Sequence, residues 1–141
     1  MTIPADRLLN ILLVEDDEVD VLNVRRAFQK NNIANPLFVA SNRIEALEQL
    51  RGNMIPRERR IVLLDLNMPK MNGIEFLREL RQDPELKLTP VVVLTTSNDE
   101  RDRIEAYNLN VAGYLLKPVT FSNFCEVMTA LNKYWALVEL P

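Results

Sequence analysis

Apolar positions in this chain alternate between two patterns. Short, mostly apolar runs occupy positions 10–14, 36–40, 60–64, 90–94 and 112–116, and the densest is Ile61-Val62-Leu63-Leu64. Such runs predict strands buried on both faces, as in a parallel sheet covered by helices. Between them the apolar residues shift to three-to-four spacing. Val21, Val24 and Phe28 define a first helix closed by Asn31-Asn32. Ile44, Leu47 and Leu50 define a second, capped by Ser41 or Asn42. Ile74, Leu77 and Leu80 define a third, opened by Asn72-Gly73 and stopped by Asp83-Pro84. The fourth, at 99–107, has only Ile104, Ala106 and Tyr107 to bury. The last is the most regular, with Phe121, Phe124, Cys125, Met128, Leu131 and Trp135 on one side.

Strands alternating with helices in this way predict an α/β fold, a doubly wound (βα)5 three-layer sandwich around a parallel sheet with right-handed crossovers. In open α/β sheets ligands bind outside the carboxyl ends of the strands. Along that edge the sequence places Glu15-Asp16-Asp17 after the first strand and Asp65 after the third, before the breakers Pro69 and Gly73. It places Thr95-Thr96 after the fourth strand and Lys117 after the fifth. The fold itself requires none of these groups there. Their convergence is the functional signal.

Composition narrows the chemistry. The 141 residues, 48% apolar and 26% charged, suit one globular domain with a substantial core. A net charge of −3 argues against nucleic acid as the main partner. The basic run Arg57, Arg59, Arg60 reads as a solvated loop. No window approaches the ~18 apolar residues of a membrane span. The N-terminus lacks the layout of a signal peptide, so the expected address is the cytoplasm. The single cysteine, Cys125, excludes an internal disulfide and reads as core. The chain has no histidine, which removes the commonest general base and metal ligand, and phosphohistidine as an intermediate.

Carboxylates ~4 Å apart repel by about 4 kcal/mol per pair at an effective dielectric of about 20. Either one stays protonated or a divalent cation sits among them. All-oxygen donors with room for water suit Mg²⁺. Such a cation attracts a phosphoryl group, and an aspartate can accept it as a nucleophile. A lysine and a hydroxyl would bind the remaining oxygens. The set fits phosphoryl transfer to Asp65.

At these residues the chain resembles the receiver domain of two-component response regulators. The acidic pair is similar to Glu15-Asp16, and the acceptor setting to Leu64-Asp65-Leu66-Asn67-Met68-Pro69-Lys70-Met71-Asn72-Gly73. The switch hydroxyl is similar to Thr95 and the lysine to Lys117 in Tyr114-Leu115-Leu116-Lys117-Pro118. The resemblance implies a flavodoxin-like sheet with Mg²⁺ held by Asp16, Asp65 and the Asn67 backbone carbonyl, and by Glu15 through water. It implies Lys117 on the Asp65 carboxylate or phosphate, Thr95 moving onto the phosphoryl oxygen, Tyr114 as a coupled aromatic switch, and a cis Lys117-Pro118 bond. Of Asp17, Glu18 and Asp20, one or two read as first-turn charges favouring the helix dipole, Asp17 first among them, with the register between Asp16 and Asp17 left open. The long connection before the third strand, Leu94-Thr95-Thr96-Ser97 and the tail at 134–141 resemble the small single-domain response regulators of cyanobacterial phytochromes.

The expected layout is an N-terminal arm at 1–9, a receiver domain at 10–133 and the tail. The expected function is a phosphorylation switch fed by a partner histidine kinase of phytochrome type, signalling by protein contact and not acting as an enzyme. No segment after Trp135 is long enough for an output domain. The tail either caps the core or extends a homodimer surface on the last helix. A dehalogenase-type phosphatase needs a second aspartate where Asn67 stands. A flavin carrier needs a hydroxyl-rich loop where Glu15-Asp16-Asp17 stands. The remaining rival is a degenerate receiver used only for docking.

Overall fold

A computed structural model describes residues 7–68, 71–117 and 120–140. Strands β1 (Asn10–Val14), β2 (Leu37–Ala40), β3 (Arg60–Leu64), β6 (Val91–Thr95) and β7 (Gly113–Leu116) form one sheet in the order β2-β1-β3-β6-β7. All its pairings are parallel. Helices α1 (Glu18–Lys30), α2 (Arg43–Arg51), α3 (Gly73–Gln82), α4 (Glu100–Asn108) and α5 (Phe121–Leu137) connect and follow the strands. A short antiparallel ribbon, β4 (Asn67–Met68) with β5 (Met71–Asn72), separates β3 from α3. This is the expected flavodoxin-like doubly wound fold.

Side chains alternate along each strand and so feed two cores. Leu12, Val14, Val62, Leu64, Val91 and Val93 pack with α2, α3 and α4. Ile11, Leu13, Ile61, Leu63, Val92 and Leu94 pack with α1 and α5. Every residue of β3 is buried, as an unalternated apolar run requires. Asn42 rather than Ser41 caps α2, accepting from the Glu45 N–H.

Two sequence expectations are corrected. Ile44, placed on the apolar side of α2, is exposed, and Ala46 takes the inward position beside Leu47 and Leu50. In α4, Ile104 and Tyr107 are exposed and only Ala106 is buried. Among the helices it buries the fewest residues.

The basic run is not simply solvated either. Arg60 is buried, donating to the carbonyls of Leu50 (2.9 Å), Ile55 (2.8 Å) and Pro56 (2.9 Å), which orders the loop before β3. Arg59 donates to the carbonyls of Trp135 and Val138, and Arg7 to that of Ala136 (2.9 Å). A helix leaves its last carbonyls without partners, and these two guanidinium groups satisfy them at the end of α5. Trp135 is buried, and Val138 and Leu140 pack on the same core. Tyr134 and Leu137, by contrast, are exposed. The Lys117-Pro118 bond lies outside the described residues. Among the described residues no helix is long and apolar enough to cross a membrane.

Candidate functional site

The sheet order reverses at β1, which pairs with β2 on one side and β3 on the other. Such a reversal opens a crevice at the carboxyl edge. Glu15, Asp65 and Lys117 each sit one position beyond a strand, yet their backbones are still held by the neighbouring strand. Glu15 N–H donates to Ala40 (3.0 Å), Asp65 N–H to Val14 (3.2 Å) and Lys117 N–H to Thr95 (2.8 Å). The side chains are thus presented from a rigid frame. Gly73 reinforces it, because a Cβ there would lie 2.8 Å from Leu66 Cδ2 and 2.9 Å from Leu66 Cα. Any side chain at Gly73 would push on the segment that carries Asp65.

The cleft is lined by Glu15, Asp16, Asp17, Asp20, Asp65, Thr96 and Lys117. At its centre the Lys117 ammonium donates to Asp20 Oδ2 (2.7 Å), Glu15 Oε1 (2.8 Å) and Asp65 Oδ2 (3.0 Å). An ammonium has three N–H donors, and these three carboxylates engage all of them. Among the described residues, Glu15, Asp20 and Asp65 each offer an oxygen within 4.8 Å of the others.

Burial pushes the Glu15 carboxyl up to about 7, and the nearby Asp65 charge adds to that, against the opposing Lys117 hydrogen bond. Burial disfavours the Lys117 ammonium, but its bonds to Asp20 and Glu15 outweigh this and raise its pKa above the ordinary lysine value. If all four groups are ionised, three carboxylates against one ammonium leave the cluster two charges negative. Asp16 and Asp17 add to this on the cleft wall. Oxygen donors with that excess suit a hard divalent cation.

Glu15, Asp65 and Lys117 meet as the sequence analysis expects. Asp16 borders the cleft but is not among the gathered oxygens. Asp17 caps α1, accepting from the N–H groups of Val19 (2.8 Å) and Asp20 (3.4 Å). Asp20 is a residue that the sequence did not assign to the site. The signal was available: with Asp17 as the cap, Asp20 is the third helical residue, and helical Cβ atoms tilt toward the N-terminus. That direction is toward the strand ends. Asn67 opens β4 directly after the acceptor segment.

Thr95 is fully buried, its hydroxyl accepting from Ser97 N–H (3.2 Å), and it is Thr96 that lines the cleft. Tyr114 is half-buried and donates to the Ser97 carbonyl (2.9 Å), while Ser97 Oγ donates to Asp102 (2.8 Å) on α4. Burial raises the Tyr114 phenol above its ordinary pKa. Thr95 and Tyr114 thus bond to the same residue, Ser97, at the entry to α4.

Comparison with known proteins gives a consistent result. The response regulator receiver domain profile matches residues 11–129. Response regulator Rcp1 of Synechocystis is 37% identical over 136 residues, covering 93% of this chain and 92% of Rcp1. The phosphorylated cyanobacterial phytochrome response regulator RcpA superposes with a TM-score of 0.82 at 33% identity, over 95% of this chain and 99% of that one. The Mn²⁺-bound form of Rcp1 superposes with a TM-score of 0.78 at 35% identity, over 94% of this chain and 99% of that one.

Proposed function

Since this chain belongs to the response regulator receiver family, we propose that it is a phosphorylation switch whose acceptor is Asp65. The observation that carries the reading is the Lys117 ammonium bridging Asp65 and Glu15 in the crevice between β1 and β3. An Asp65 carboxylate oxygen forms the new bond to phosphorus as the bond from phosphorus to the donor's imidazole nitrogen breaks. The electron pair of that bond leaves with the imidazole. Lys117 then faces a phosphoryl oxygen, and Thr95 reaches it by leaving its bond with Ser97.

The oxygen-rich cleft fits Mg²⁺, which Asp16, Asp65 and the Asn67 backbone carbonyl would hold, with Glu15 acting through water. When bound, the ion neutralises charge on the phosphoryl oxygens. The chain has no histidine, so the phosphoryl group comes from a histidine kinase. Similarity to Rcp1 and RcpA supports a phytochrome-type kinase and a cytoplasmic setting. The chain is an acceptor that at most dephosphorylates itself slowly.

Phosphorylation adds up to about two negative charges and new acceptor oxygens. Drawing Thr95 inward loosens Ser97, to which Tyr114 and Asp102 are bonded. The weakly anchored α4 follows, and the signal leaves by protein contact. Residues 10–133 act as the receiver unit, flanked by an arm at 1–9 and a tail at 134–141, and Arg7, Val138 and Leu140 meet at its far end. The exposed Tyr134 and Leu137 on α5 are the surface we assign to a homodimer. Sedimentation at tens of micromolar should show a dimer that Leu137→Asp dissociates, and a monomeric wild type would remove this assignment.

Incubation with Mg²⁺ and acetyl phosphate should add one phosphoryl group by intact mass, mapped to Asp65 in peptides and absent with chelator. Wild-type protein that gains nothing, even with a phytochrome-type kinase, would be a docking module.

A further inference from the structure

We propose that Asp20 is a positioning residue of the phospho-acceptor site, tethering the Lys117 ammonium over Asp65. The inference rests on the reading of Asp65 as acceptor. Its basis is the geometry of the three bonds to Lys117 Nζ, of which the one to Asp20, at 2.7 Å, is the shortest.

The three carboxylates come from different elements. Glu15 follows β1, Asp65 follows β3, and Asp20 lies in the first turn of α1. A lysine stem is long and flexible, and two anchors would leave its ammonium free to swing about the line between them. A third anchor off that line fixes it.

The anchors also differ in what the reaction demands of them. Asp65 gives up an oxygen to phosphorus, and Glu15 and Asp65 both belong to the donor set assigned to the cation. Asp20 lies outside that set and stands at the rim, with its side chain 35% exposed against 3% for Glu15 and 6% for Asp65. It is the carboxylate that can hold Lys117 throughout. When the phosphoryl group arrives, Lys117 has to redirect only the N–H donors that leave Glu15 and Asp65.

The arrangement has a competing explanation, since the Asp20 oxygen lies within 4.8 Å of those of Glu15 and Asp65 and is within reach of a shared cation. Metal affinity separates the two. In Asp20→Ala the maximal rate of phosphorylation by acetyl phosphate at saturating Mg²⁺ should fall about tenfold, while the half-saturating acetyl phosphate and the Mg²⁺ Kd stay within about twofold. Asp20→Glu should restore most of the rate.

A second readout needs no phosphorylation. In metal-free wild-type protein the three bonds should slow exchange of the Lys117 ammonium protons enough to give a ¹⁵Nζ resonance, and Asp20→Ala should broaden it. A Kd weakened more than about tenfold, with the rate recovered at higher Mg²⁺, would make Asp20 a metal ligand and overturn the proposal. An unchanged rate and resonance would overturn it as well. Failure of the wild type to be phosphorylated while the Lys117 resonance still responds to Asp20→Ala would refute the acceptor reading and leave the tether standing.

Discussion

Asp65→Asn should be unable to accept a phosphoryl group and yet more stable than wild type when no divalent cation is present. The amide cannot form the bond to phosphorus that the carboxylate oxygen forms, so the mass gain disappears altogether. The stability gain follows from the charges. Asp65 is 5% exposed and shares a 4.8 Å neighbourhood with the Glu15 and Asp20 carboxylates. Removing its charge relieves repulsion with both and sacrifices one charge-assisted bond to Lys117. With two repulsions relieved against one attraction lost, the net gain is about 1 kcal/mol at pH 8 in chelator. Urea unfolding measures it. Adding Mg²⁺ should reverse the order, because a ligand that binds only the folded state stabilises the protein able to hold it. A variant less stable than wild type in chelator would show that the carboxylates are not in conflict.

Lys117→Met should act in the opposite direction and more strongly. Lys117 is the cation that bridges Glu15, Asp20 and Asp65. Methionine keeps the length of the stem but takes the ammonium away from three carboxylates, two of them buried. Removing one partner of a buried ion pair costs about 3 kcal/mol or more.

The loss should depend on pH, with a sign that Glu15 sets. Its folded pKa of about 7 lies above the ordinary 4.5, so between these values the folded state binds more protons than the unfolded state. Its contribution to wild-type stability therefore falls as pH rises from about 4.5 to about 7, by up to ~3 kcal/mol. In Lys117→Met the bond that opposes this rise is gone, so the decline should extend above pH 7 and its total grow. Urea midpoints at pH 5 and pH 8 would show the variant close to wild type at the lower pH and well below it at the higher. Equal deficits at both would place the damage in packing rather than charge.

Some of this protein could be read from its residues one by one, and some could not. The strands were legible because burial on both faces forces an unbroken apolar run, and β3 carries one, Ile61 to Leu64, that only a covered sheet explains. Asp65, Glu15 and Lys117 were legible for a related reason. Once strand ends are located, a parallel sheet puts whatever follows them on one edge, and three of the candidate groups meet there.

Exposure of single helix positions was less legible. Ile44 and Ile104 have the chemistry of core residues and fall near the expected spacing, yet the helices turn them to solvent and bury alanines instead. Spacing fixes a stripe only to within its width, and the facing sheet decides which edge of that stripe is covered.

The arginines show the same division. Nothing local marks Arg59 and Arg7 as partners for the end of α5, because their acceptors lie 76 and 129 residues away. Unpaired carbonyls at a helix end must be satisfied, but which distant donor reaches them depends on the whole packing.

Asp20 is the most consequential case. In sequence it is one of several acidic residues in a first helical turn, where the helix dipole alone accounts for it. In the folded chain the Lys117 side chain, starting just past β7, reaches across to Asp20 on α1 at 2.7 Å. Composition, period and order along the chain determined the sheet, its active edge and the type of chemistry at that edge. The pairing of Asp20 with Lys117, the burial of Thr95 behind Thr96 and the packing of Trp135, Val138 and Leu140 on the core were decided only when elements far apart in the chain came together. Each depends on a distance between two backbones that no local pattern encodes.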